Sequence, residues 1–199
     1  MSYPPTSQER PEATVAAFTP PPGEDFWVFG YGSLMWNPGF AYRRAAPALL
    51  WGYRRAFCIY SYRYRGTREV PGVVLGLVRG GSCRGRAFLV AAADGQAVAD
   101  YLHAREMVNG VYAPRWLPVR AQGATVRAVA YLADPAHPQF TGALDDDRLV
   151  ALILQGNGQS GSNLDYLVST VRHIDELGLG DSFLHRILGR VEAALARRP

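Results

Sequence analysis

Residues Asp25–Trp36 read DFWVFGYGSLMW. Phe26 to Phe29 form a short apolar run that suits a buried strand, and it stops in Gly30-Tyr31-Gly32-Ser33 rather than in a polar turn. Glycines set around a small hydroxyl leave backbone N–H groups open to approach, as a chain needs when it holds an anion or a carbonyl oxygen. Three chemistries use such a loop: dinucleotide binding, a serine nucleophile, and capture of a small carboxylate. The bland alternative is a tight turn capping a short helix.

Dinucleotide binding calls for G-x-G-x-x-G, with an acid about 20 residues further on. Gly30 and Gly32 are present, but the third glycine position holds Met35, and the downstream stretch ALLWGY (Ala48–Tyr53) has no acid. A serine nucleophile calls for G-x-S-x-G; here Tyr31 and Met35 occupy both glycine positions. The histidines (His103, His137, His173 and His185) form no pattern with Ser33, and no His/Cys/Asp group has metal-ligand spacing. Capture of a small carboxylate survives.

Composition narrows the class. The chain has 199 residues, 48% of them hydrophobic, which suits one soluble domain with a sizeable core. No apolar run approaches the roughly 18–20 residues that span a bilayer, and no basic-then-apolar leader opens the sequence. Cys58 and Cys83 are too few and too isolated for a disulfide framework, so a reducing cytoplasm and buried thiols are expected. The net charge is +4, carried on arginines without a single lysine. These are dispersed, with short pairs at Arg43-Arg44, Arg54-Arg55 and Arg197-Arg198, whereas nucleic-acid binders concentrate charge in a patch. A small acidic substrate accounts for the balance, with no nucleic-acid or membrane partner.

Residues 1–24 are rich in Pro, Thr, Ser and Glu and read as a poorly ordered tail ending in Pro20-Pro21-Pro22, with one domain over 25–199. Strands are predicted at Phe26–Gly30, Trp51–Ser61, Val73–Val78 and Ala87–Val90, the last two separated by a Gly80-Gly81 turn. A helix capped by Asp94 follows, ending near Glu106, and two further strands lie near Arg115–Val119 and Val126–Leu132. The second half is helical. One helix covers Leu144–Leu154. A second opens with cap residues Ser160, Ser162 and Asn163 and stops at Gly178, and a third is capped by Asp181. Strands first and helices afterwards give an α+β class.

Four segments, FGYGSLMW (29–36), SYRYRGTREVPGVVLGL (61–77), YLHAREMVNGVY (101–112) and GQSGSNLDYL (158–167), stand in the order and spacing of the ChaC-like γ-glutamylcyclotransferases. The sequence resembles that family from about residue 26 to its end. The resemblance implies an α+β γ-glutamylcyclotransferase-like fold around a small mixed barrel with flanking helices. It also implies a cofactor-independent lyase that cyclises the γ-glutamyl group of glutathione to 5-oxoproline and releases Cys-Gly; the alternatives are a cyclotransferase for other γ-glutamyl peptides or amines, and a non-catalytic module that binds a small ligand. A single chain is expected to act alone.

By that resemblance Glu106 is the catalytic acid–base. Its position alone allows two readings: a base whose pKa is raised by a helix C-terminus, or a solvated acid paired with Arg105 or Arg127. Gly30, Tyr31, Gly32, Ser33, Leu34 and Met35 are expected to grip the glutamyl group through main-chain donors, and Tyr166 to face the substrate. Tyr112 either lines the pocket or lies at a core edge. Arg65 pairs either with a substrate carboxylate or with Glu69 or an Asp. Ser160 and Asn163 read as caps. Where many relatives carry His before Arg-Gly-Thr, this chain carries Tyr64.

Overall fold

A computed structural model describes residues 17–197 of the chain. Five strands close into a barrel in the order β1-β3-β2-β4-β5. They are β1 (Phe26–Gly30), β2 (Arg44–Ser61), β3 (Gly72–Val90), β4 (Tyr112–Ala121) and β5 (Ala124–Ala133). Every pairing is antiparallel except β1 with β5, where Trp27 faces Ala128 and Val28 faces Val129 in parallel. Helix α1 (Gly95–Glu106) bridges β3 and β4, and α2 (Asp146–Gln155), α3 (Asn163–Glu176) and α4 (Ser182–Ala196) complete the second half.

Both long strands depart from the sequence reading. β2 begins at Arg44, and β3 runs unbroken through Gly80-Gly81. The register slips between Trp51 and Tyr53. At that point Gly52, Gly80 and Gly81 all adopt positive φ, a conformation that side-chain-bearing residues resist. The glycines therefore bend two paired strands instead of ending one, which is how a sheet curls shut.

The long β2–β3 hairpin serves two cores. Its barrel half encloses Phe29, Leu50, Leu77, Val119 and Ala128. Its other half presents Phe57, Val73 and Leu75 to Leu152, Leu167, Ile174, Leu184 and Ile187 of the three C-terminal helices. Truncating one of these buried leucines to alanine costs about 2–5 kcal/mol. Helix α1 lays Val98 and Leu102 over Phe26, Val28 and Val129 on the barrel wall.

Helix boundaries follow their capping chemistry. Ser162 accepts from the Asp165 N–H and Asp181 from the Leu184 N–H, while Gly178 ends α3 at φ 64°. Asp94 precedes α1 as expected, but its side chain makes no cap bond. Asn163, read as a cap, is instead fully buried and clamps β3: its Oδ1 accepts from the Val73 N–H at 2.6 Å and its Nδ2 donates to the Val73 carbonyl at 2.9 Å. Of the tail, residues 1–16 lie outside the described residues. Phe18 is buried, edge-on to Phe26 and Trp116.

Candidate active site

The segment after β1 folds into a 3₁₀ turn at Ser33–Met35, and a Cβ on Gly30 would stand 3.0 Å from that of Leu34. The turn uses the Gly32 and Ser33 carbonyls, which accept from the N–H groups of Met35 (2.9 Å) and Asn37 (2.9 Å). Arginines from elsewhere hold other carbonyls. Arg55 Nε donates to Tyr31 O at 2.5 Å, Arg86 Nη1 to Met35 O at 3.1 Å, and Arg105 Nη1 to Asn37 O at 2.7 Å and Pro38 O at 3.2 Å. Among the described residues the N–H groups of Gly32, Ser33 and Leu34 find no backbone acceptor. The loop is thus gripped by its carbonyls and leaves donors in hand, the electrostatics of an anion site.

Glu106 is the last residue of α1 and is 17% exposed at its side chain. Its carboxylate lies 3.2 Å from Arg105 Nε, and Arg105 Nη2 donates to Ser33 Oγ at 3.0 Å. One guanidinium therefore joins the acid to the glycine loop. Burial raises the Glu106 pKa, and Arg105 opposes the rise by charge and hydrogen bond. The direction matches the sequence expectation, but desolvation causes it.

Four tyrosines feel the charge of this acid. Tyr31, Tyr112, Tyr131 and Tyr166 all have raised pKa values, first from burial and in part from the negative charge of Glu106. Tyr166 is pushed up to about 12, so its hydroxyl stays protonated and can donate. That hydroxyl lies 4.0 Å from where a Cβ on Gly32 would stand, which places α3 against the loop. Tyr112 donates to the Leu75 carbonyl at 2.7 Å. Tyr131 is 1% exposed and its hydroxyl has no partner among the described residues.

Arg65 takes neither of the acid partners weighed for it; among the described residues it forms no ion pair. Its Nη1 donates to the carbonyls of Ser160 (2.5 Å) and Ser162 (3.2 Å), and its guanidinium lies 5.3 Å over the Tyr166 ring. Tyr64, 40% exposed, lies under Arg63. The Arg65 loop is held by close backbone packing against the ribbon of β6 (Asn157–Gly158) and β7 (Gly161–Ser162). A Cβ on Gly158 would meet Arg63 O at 2.5 Å.

The structure thus brings Gly32, Ser33, Glu106, Tyr112 and Tyr166 together, with Arg65 behind Tyr166. Sequence reasoning missed Arg55, Arg86 and Tyr131, and it weighed Arg105 only as a surface partner. No spacing signals them, because the arginines reach the loop from distant elements and Tyr131 lies on β5. Arg55 also bonds the Arg84 carbonyl, ion-pairs with Asp181, and lines a cavity of about 520 Å³ that touches no predicted site residue.

The sequence profile of the ChaC-like protein family matches residues 26–194. The chain belongs to the ChaC-like family. The Escherichia coli (strain K12) glutathione-specific gamma-glutamylcyclotransferase is 33% identical to it over 193 residues, 96% of this chain and 84% of that one. The human glutathione-specific gamma-glutamylcyclotransferase 1 is 33% identical over 170 residues, 83% of this chain and 77% of that one. A crystal structure of the yeast cyclotransferase specific to glutathione superposes with a TM-score of 0.77 at 22% identity, covering 86% of this chain and 99% of the other. This ChaC-like protein therefore shares the cyclotransferase fold.

Proposed function

We propose that this ChaC-like protein is a gamma-glutamylcyclotransferase that converts glutathione to 5-oxoproline and Cys-Gly, with Glu106 as proton shuttle. The observation that carries the reading is one guanidinium joining the Glu106 carboxylate to Ser33 of a loop with open N–H donors.

The nucleophile is the substrate's own α-amine, and its attack on the γ-carbonyl carbon closes a five-membered lactam. Such tethered reactions gain several kcal/mol from orientation alone, so the site has to fix the folded arm of the glutamyl group. Donors from the Gly30–Met35 loop hold that group and balance charge developing on the carbonyl oxygen. Glu106, ionised, takes a proton from the α-ammonium. The C–N bond to cysteine breaks as the intermediate collapses, and Glu106 returns the proton to the departing nitrogen. A second proton follows the same way, so two protons leave the attacking nitrogen and two arrive on the leaving one. Electrons and atoms balance without a cofactor.

Tyr166 and Tyr112 bound the glutamyl arm, and Arg65 stiffens Tyr166 from behind. In this reading a single chain acts alone. Two unpaired, buried cysteines support work in the reducing cytoplasm.

The test is purified protein with glutathione, following 5-oxoproline and Cys-Gly together. Equal amounts of both are expected. Turnover of γ-Glu-Ala without turnover of glutathione removes the glutathione assignment and leaves the cyclisation; Tyr64, beside Arg65 at the loop's surface, is the residue on which such a shift would rest. No 5-oxoproline from either removes the activity.

A further inference from the structure

Arg105 and Glu106 are sequence neighbours, and adjacent residues on a helix ordinarily point apart. Here they meet in the last turn of α1, with Nε 3.2 Å from the Glu106 carboxylate. The arginine uses its whole fork. Nε faces Glu106, Nη2 reaches Ser33 Oγ, and Nη1 serves the Asn37 and Pro38 carbonyls and the Tyr101 hydroxyl at 3.0 Å. Five partners on one planar group is a task that only arginine's donors can meet; a lysine ammonium is a compact point with three.

We infer that Arg105 is a positioning residue that locks the shuttle carboxylate and the glycine loop into one rigid unit. The inference rests on the proposed role of Glu106. The Glu106 carboxylate contacts Arg105 on α1, and its charge is felt by Tyr31 after β1, Tyr112 on β4, Tyr131 on β5 and Tyr166 on α3. The four tyrosines are neutral at working pH, so Arg105 supplies the opposing charge. Burial favours the protonated acid, which is useless as a base for the α-ammonium, and the guanidinium works against it.

The experiment compares wild type, R105M, R105K and S33A by the pH profile of kcat/KM for 5-oxoproline release, and by ¹³C NMR titration of the Glu106 carboxyl. The resonance is assigned by its loss in E106Q. R105M is expected to move the acid limb and the NMR midpoint up by about one pH unit or more. Its rate then falls at least tenfold at mildly acidic pH and recovers in part toward alkaline pH. R105K and S33A are expected to keep the midpoint near wild type while lowering kcat, which separates charge from geometry. An R105M loss that is uniform in pH, with an unmoved NMR midpoint, overturns the inference. So does a kcat for R105K and S33A equal to that of wild type. Should R105M fail to fold, the kcat of R105K and S33A still decides the positioning claim. The NMR midpoint needs no turnover, so an inactive wild type would count against the proposed function while the titration still judged Arg105.

Discussion

Two glycine-rich loops flank the Tyr166 ring, and Gly32 of the first does the opposite of the glycines of the second. In the Gly30–Met35 loop, Gly32 faces open space, with nothing closer to its missing Cβ than the Tyr166 hydroxyl at 4.0 Å. In the Arg65 loop the missing side chains are where backbone runs. A Cβ would lie 2.1 Å from Gly72 N at Gly66, 2.1 Å from Arg65 O at Gly72, and 2.5 Å from Arg65 O at Gly156. At Gly32 the missing side chain leaves space beside the loop; at Gly66, Gly72 and Gly156 it lets main chains touch. Sequence alone shows both as Gly-rich, and only the neighbours tell access from contact.

The sharpest cut through this comparison is Glu106→Gln. It should lower kcat/KM for glutathione by about 10²–10⁴-fold, read as 5-oxoproline, while the fold stays intact. The same variant has a stability signature. The folded state holds the Glu106 proton above the ordinary carboxylate value of 4.5, so between the two values the native chain binds more protons than the unfolded chain. Stability then falls as pH rises through that window. Denaturation series should show Glu106→Gln more stable than wild type at neutral pH, with the gap closing on acidification.

Gly72→Ala comes next. Its methyl would collide with Arg65 O and with Asn163 Oδ1 at 2.7 Å, both held fast, so a loss of about 3 kcal/mol or more is expected in chemical denaturation. Gly32→Ala should reverse the pattern, with stability within about 1 kcal/mol of wild type and activity down about ten- to a hundredfold, because the methyl stands among the open N–H donors. Equal stability losses at the two positions would erase the distinction drawn between the loops. The smallest effect belongs to Gly178→Ala, where φ is 64° and nothing lies within 4 Å. That change should cost about 1 kcal/mol and leave turnover alone.

What could be read from sequence was what local chemistry decides. Phe26–Gly30 is a strand from end to end as read, and Asp181, Ser162 and Gly178 mark helix ends by side-chain and backbone rules that act within a few residues. The two halves of β3 were separated because a Gly-Gly pair looks the same whether it turns a chain or bends a strand. Glu106 was legible through four segments in register. Its pairing with Arg105 was one of the readings open from sequence, but the grip of Arg105 on the loop was not, since Ser33 lies about 70 positions earlier. Arg55 and Arg86 belong to a dispersed set of arginines whose purpose appears only when the barrel closes.

That closure sets an order of events for the nascent chain. Strand β1 is made first, yet it zips in parallel onto β5, about a hundred residues downstream. Contacts of such long span are slow to form and late to arrive. The Gly-Tyr-Gly-Ser segment follows β1 directly, yet Tyr166, which packs against it, lies on α3 about 135 positions later. A chain stopped before α3 has the loop and the acid but lacks Tyr166, so it holds only part of the candidate site.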